Sequence, residues 1–178
     1  MHKVLDFIKK NKQFSFFLLL VILLALITIF APVIAPQDPY ASDLKNALQP
    51  PSSAHWFGTD KLGRDIFSRV IYASRSSLPA TLILVVLIFA IGTLLGTLAG
   101  YFGGWIDAVI MRISDMMISF PGMVLAIAVA GIMGASVKNA VIAVAVVSWP
   151  KYARLARSLV MKIRHEDYIY AAIVTGSK

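Results

Sequence analysis

Three uninterrupted apolar runs decide what this chain can fold into: residues 14–35, 78–106 and 116–137 carry no charged side chain. Each exceeds the roughly 20 residues that an α-helix needs to cross the hydrocarbon core of a bilayer. No water in that core satisfies backbone N–H and C=O groups, so a spanning run of this length is helical. Composition agrees, with 58% hydrophobic residues, 15% charged and a mean hydropathy of +0.78, beyond the soluble range. The chain has no cysteine, which removes disulfide scaffolds, thiolate metal sites and thiol nucleophiles together. A net charge of +8 does not point to nucleic acid. The basic residues flank apolar runs, where the positive-inside rule and the anionic inner leaflet account for them.

The first run follows Lys3, Lys9, Lys10 and Lys12, an order shared by secretory signal peptides, and Val33-Ile34-Ala35 resembles a cleavage site. The run is longer than the roughly 7–15 apolar residues of a signal peptide, so retention as a transmembrane helix is expected. A fourth span is less obvious. Residues 139–150 are uncharged but cover only roughly 18 Å as a helix, so the span requires continuation through Lys151. There Lys151, Arg154, Arg157, Lys162 and Arg164 fall on one side of a helix, and Tyr152, Leu155, Ala156, Leu159, Val160 and Ile163 on the other. The basic side is expected to snorkel to headgroups or face water, with a kink at Pro150. A helix lying on the membrane surface is the alternative, and the absence of a preceding loop argues against it.

Charge sets the topology. The N-terminus and the stretch from Lys151 to Arg164 hold nine Lys/Arg, whereas the connection around residues 134–139 holds only Lys138. Both basic ends are therefore placed in the cytoplasm, and four crossings satisfy that placement. Residues 36–77 then lie outside, with five basic and four acidic residues. From Asp65 onward Ile66, Phe67, Val70 and Ile71 alternate with polar residues as in an amphipathic helix, capped by Asp65 and expected at the membrane interface. The expectation is all-α: residues 1–13 cytoplasmic, 14–35 the first transmembrane helix, 36–77 an external loop. Further spans are expected at about 80–103, 112–135 and 139–163 within residues 78–178, with a short cytoplasmic helix at about 166–177.

Gly92, Gly96 and Gly100 recur at i, i+4 and i+8, a smooth stripe that permits close helix approach in lipid, within the subunit or in a dimer. Arg112 and Asp115 stand one turn apart and are expected to pair as a structural anchor at a membrane boundary. A proton-relay role for Asp115 is the sharper alternative. The segment His55 to Asp65 holds one imidazole and two carboxylates, but no His pair at ligand spacing, nucleophile elbow or P-loop occurs in the chain. Turns and a helix cap account for its Gly, Thr and Asp residues, and helix capping accounts for His165-Glu166-Asp167. No catalytic residue and no metal site is expected.

Phe57-Gly58-Thr59-Asp60, followed by Gly63-Arg64-Asp65, closely resembles the signature of the second permease subunit in dipeptide, oligopeptide and nickel ABC importers. The resemblance continues through Ser68-Arg69-Val70-Ile71-Tyr72, Gly100-Tyr101-Phe102-Gly103-Gly104 and residues 112–121. Near the end, Ala171, Ala172 and Gly176 match that family's Glu-Ala-Ala, three residues, Gly pattern, with Tyr170 in place of the glutamate. The resemblance implies part of a type I ABC importer permease fold in a prokaryotic inner membrane. It also implies that Asp167, Tyr170, Ala171, Ala172 and Gly176 belong to a coupling helix that docks on an ATP-hydrolysing subunit. Implied partners are a homologous permease subunit, ATP-binding subunits that hold ATP and Mg, and an external substrate-binding protein, with no cofactor on this chain. The family continues with further membrane helices beyond the coupling loop in which Lys178 falls, so a fragment is expected. Dipeptide, oligopeptide and nickel branches share these motifs. A non-transporting membrane scaffold, or a proton-coupled carrier dependent on Asp115, are the rival readings.

Overall fold

The computed structural model describes residues 10–176, the side chains of residues 170–173 excepted. It divides into two compact units, Met1–Pro79 and Ala80–Lys178. Every named element is helical, and among the described residues the one strand-like pairing is an isolated antiparallel bridge between Thr59 and Asp65.

Helix α1, Lys12–Ile29, buries no residue; a helix that is apolar all round has lipid as its solvent. At Phe30 it gives way to a short turn of helix, α2, Ala31–Ile34, whose first turn holds Pro32, where the missing N–H costs nothing. A 3-10 turn, Leu44–Asn46, follows in the connection. Helix α3 then runs from Ile66 to Phe102 with Pro79 inside it. The amphipathic segment after Asp65 is thus not a separate interfacial helix: it is the first part of the same helix that carries the second apolar run. The unit boundary falls at Pro79. Proline removes one N–H, yet the chain around it stays helical, and Ser74 and Ser76 turn their hydroxyls back onto the carbonyls of Ile71 and Ala73. Serines satisfy a helix backbone locally in this way where water is scarce.

The second unit corrects the sequence expectation for the third span. Residues 112–135 do not form one helix. Helix α4, Gly104–Ser119, and helix α5, Gly122–Met133, meet at 93°. Phe120 between them is extended (φ −88°, ψ 146°), because the ring of Pro121 clashes with a helical residue before it. Helix α6, Val137–Arg164, is capped by Ser136, which accepts from the Asn139 N–H, and passes through Pro150 without ending. The predicted continuation past Lys151 therefore holds. Helix α7, Asp167–Val174, follows directly. By length and composition two helices, α1 and α3, can cross a membrane, and the bent α4–α5 pair makes a third if it is one span. Helix α6 packs on α5 and α4. Its buried face, Ala143, Ala145, Val147, Trp149, Pro150 and Ala153, is mostly small side chains, which lets helix backbones approach closely where lipid supplies no hydrophobic driving force.

Candidate functional site

The signature segment, Phe57 to Asp65, folds into a hydrogen-bonded knob on the first turn of α3. Two glycines fix its turns. Gly58 and Gly63 both have φ of +74°, and a methyl group on either would overlap a backbone carbonyl, that of Gln49 or of Asp43. Thr59 is buried; its Oγ1 accepts from the Gln49 N–H at 2.9 Å and donates to the Asn46 carbonyl at 2.5 Å. Asp60 collects the Leu62 and Arg64 N–H groups and the Arg64 guanidinium, with Arg69 at 3.6 Å. Asp65 is 2% exposed and caps α3 by accepting the Ser68 N–H at 2.7 Å, while His55 Nδ1 stands 3.1 Å away. The buried Ser68 hydroxyl accepts from the Gln37 N–H. Trp56 and Phe57 lie against Phe67 with ring centroids 4.8 and 5.2 Å apart.

The signature residues are thus held by one another, and each type is needed for a turn, a cap or an ion pair. The Arg64 guanidinium and the Arg64 and Leu62 N–H groups hold the Asp60 carboxyl at about 2 instead of 3.8. Burial pushes the Asp65 carboxyl up, but the Ser68 N–H and hydroxyl and the His55 ring outweigh it and bring it below 3.8. A carboxyl depressed in the folded state contributes stability that is complete above its unfolded pKa and lost as pH falls through the folded value. Amide exchange across residues 55–72 is therefore expected to stay constant from neutral pH down to about 4 after correction for intrinsic rates, then rise as pH approaches about 2.

In the second unit the glycine stripe faces α6. A methyl group at Gly92 would stand 2.5 Å from Tyr152 Cβ and 2.9 Å from the Trp149 carbonyl; one at Gly96 would overlap the Ala153 carbonyl; one at Gly100 would stand 2.9 Å from Val160 Cβ. Backbone meets backbone along this line, and the partner is a helix of the same chain.

Asp115 does not take Arg112 as its partner. It pairs with Arg154 of α6, and Asp107, one face and two turns earlier on α4, pairs with the Arg157 Nε and Nη2. Helices α4 and α6 pack side by side, so long arginines reach across to carboxylates that a neighbour one turn away on the same helix does not capture. Arg164 donates to the Gly100 and Tyr101 carbonyls at 3.1 and 2.7 Å, in the last turn of α3. Three of the five cations expected to snorkel are therefore engaged by carboxylates or carbonyls of the same chain. Asp107 escaped the sequence reading; its signal is the i, i+8 spacing to Asp115, matched by two arginines one turn apart.

Helix α7 places Asp167 in its first turn, where a carboxylate complements the helix dipole. The chain enters it through a turn in which the Glu166 N–H donates to the Ile163 carbonyl. Tyr170, Ala171 and Ala172 lie on its backbone; their side chains, and residue 177 of the expected helix, lie outside the described residues. Gly176 follows with φ of +90°. Among the described residues no group of three or more metal-ligating side chains converges.

Fold and site define a helical integral membrane protein whose distinctive residues serve turns, packing and ion pairs. Residues 92–178 match the binding-protein-dependent transport system inner membrane components, and residues 2–51 match the N-terminal TM domain of oligopeptide transport permease C. A dipeptide transport system permease protein of Alkalihalophilus pseudofirmus is 45% identical over 171 residues, covering 96% of this chain and 56% of that protein. A nickel transport system permease protein of Escherichia coli K12 is 39% identical over 160 residues (90% and 58%). A glutathione transport system permease protein of Pectobacterium atrosepticum is 46% identical over 160 residues (89% and 53%). The chain belongs to the binding-protein-dependent inner-membrane components of ABC transporters, the permeases of the dipeptide, oligopeptide and nickel type. It spans somewhat more than half the length of the curated relatives it matches.

Proposed function

We propose that this chain is a membrane-spanning part of the permease subunit of an ATP-driven importer for peptides or nickel, and that α7 couples it to an ATP-hydrolysing partner. In this reading α1, α3, the bent α4–α5 pair and α6 make four crossings, with the N-terminus and α7 in the cytoplasm. The placement is supported by the basic residues at both ends and by the length of α6, 28 residues, enough to cross with its basic end at the inner surface. The knob at residues 55–65 then faces outward, toward the side from which an external binding protein delivers substrate. A homologous permease subunit completes the pathway, and ATP with Mg is bound on separate subunits.

The observation that carries the reading is α7. An eight-residue helix follows α6 through a tight turn and holds two adjacent alanines, with a left-handed glycine, Gly176, just after its end. Small side chains suit a helix that seats against another protein, and the glycine lets the chain turn away. Tyr170 stands where the family pattern has a glutamate, so this reading assigns α7 no salt bridge at that position and keeps its docking. These 178 residues hold no cysteine, and any cysteine elsewhere in the full-length permease is first replaced by serine. Ala172→Cys in the full-length permease, co-expressed with its ATPase subunit carrying a surface cysteine, is expected to crosslink under mild oxidation. A cysteine at Ser136, on the opposite side of the membrane, is expected to give none. Equal labelling at both positions, or none at 172, counts against the assignment.

A further inference from the structure

Helix α6 leads straight into α7, and its cations tie it to two other helices. Arg154 and Arg157 hold Asp115 and Asp107 of α4, and Arg164 holds the final carbonyls of α3. Both ion pairs line one open cavity of about 490 Å³, together with Ala108 and Met111. Asp107 and Arg157 are partly buried, and Arg157 reaches both carboxylate oxygens of Asp107 through two nitrogens, a fork that fixes orientation as well as distance. The glycine stripe bars relative rotation of α3 and α6, because backbone already touches backbone there. Where α6 meets α7 the chain has little slack: the His165 N–H donates to the Lys162 carbonyl and its ring lies 2.7 Å from the Met161 carbonyl.

We propose that Arg154, Arg157 and Arg164 are positioning residues that make α6 a rigid arm, so that displacement of α7 moves α4 and the end of α3 with it. The proposal rests on the reading of α7 as the coupling helix. Packed side chains, ion pairs and rigid helices can carry coupling between distant sites, and these contacts form such a connection from α7 to the bend at Phe120. Of the two pairs, Asp107–Arg157 bears more of the load: it is the less exposed and has two bonds, whereas the Arg154 and Asp115 side chains are 45% and 58% exposed.

The test uses the full-length permease assembled with its partners in proteoliposomes, with Asp107→Asn, Arg157→Gln and the exchanged pair Asp107→Arg/Arg157→Asp. Three quantities are read: the crosslink at Ala172→Cys, ATP hydrolysis, and substrate taken up per ATP. The single variants are expected to keep the crosslink and to hydrolyse ATP within about twofold of wild type, while uptake per ATP falls about fivefold. The exchanged pair is expected to recover about half of the lost uptake, which ties the loss to this pair; the retained crosslink and ATP hydrolysis of the single variants are what a merely structural defect does not predict. Unchanged uptake per ATP in both single variants overturns the proposal, as does a fall that the exchanged pair leaves uncorrected. If a single variant fails to assemble, the exchanged pair decides: assembly with restored uptake supports the arm, and assembly without it overturns it. Failure of the Ala172→Cys chain to crosslink with both ion pairs intact sinks the reading of α7 instead, a distinguishable result.

Discussion

Gly96→Leu is expected to separate α3 from α6 and to destabilise the permease by about 3 kcal/mol, a fall in Tm on the order of 10 °C in detergent. Even a single methyl group at Gly96 would overlap the Ala153 carbonyl and stand 2.8 Å from Ala156 Cβ. Both neighbours are fixed, one being backbone and the other having no rotamer to change, so the helices themselves must move apart. Separation strips van der Waals contact from the whole stripe, and in lipid little else holds two apolar helices together. Arg164 would lose its reach to the Gly100 and Tyr101 carbonyls as well. Gly131→Leu is the control. No atom lies within 4 Å of a methyl group there, so a change of about 0.5 kcal/mol or less is expected. Equal loss at the two positions in a thermal-shift measurement would show that the stripe is not the contact that matters.

Gly63→Val is expected to disorder the knob at residues 55–65 while leaving the second unit intact. The residue has φ of +74°, and a methyl group would run into the Asp43 backbone carbonyl. A β-branched residue in the left-handed region costs about 1–2 kcal/mol by itself. The collision forces Asp43 away and breaks the Asp43 N–H bond to the Leu62 carbonyl, so the total approaches about 4 kcal/mol. Limited proteolysis of the detergent-solubilised protein reads this directly, with new cleavage expected between residues 43 and 65. Gly103→Ala isolates a conformational cost: its φ of +65° and ψ of −156° lie in a region essentially reserved for glycine, but nothing lies within 4 Å, so a cost of about 1–3 kcal/mol is expected without a collision. If Gly63→Val leaves the knob protected, the turn is not what holds the signature together.

Much of the site was legible in the residues because its physics is local. The cap at Asp65 and the turns at Gly58 and Gly63 depend on neighbours a few positions away, and the wish of a glycine or an aspartate for such places is written in its own chemistry. The stripe Gly92, Gly96, Gly100 was legible as a surface but not as a contact, because period alone does not name a partner. Asp107 was invisible for the same reason: its importance comes from Arg157, fifty residues away. The pairing assumed for Asp115 failed because Arg112, the nearest arginine in sequence, competes with Arg154 of a helix packed alongside.

Helix type and membrane solvent were settled by the amino-acid sequence alone, since a long uncharged run in hydrocarbon has no other way to satisfy its backbone. Where each helix ends was settled only partly. Pro121 broke a run that apolarity joined, whereas the helix continues through Pro79, since a proline removes one backbone hydrogen bond without always ending the helix. The tertiary structure alone decided which cations face water and which are spent on carboxylates and carbonyls. Arg154, Arg157 and Arg164 share one helix face by period, but an ion pair is a property of two elements brought within reach, and no single helix contains that information.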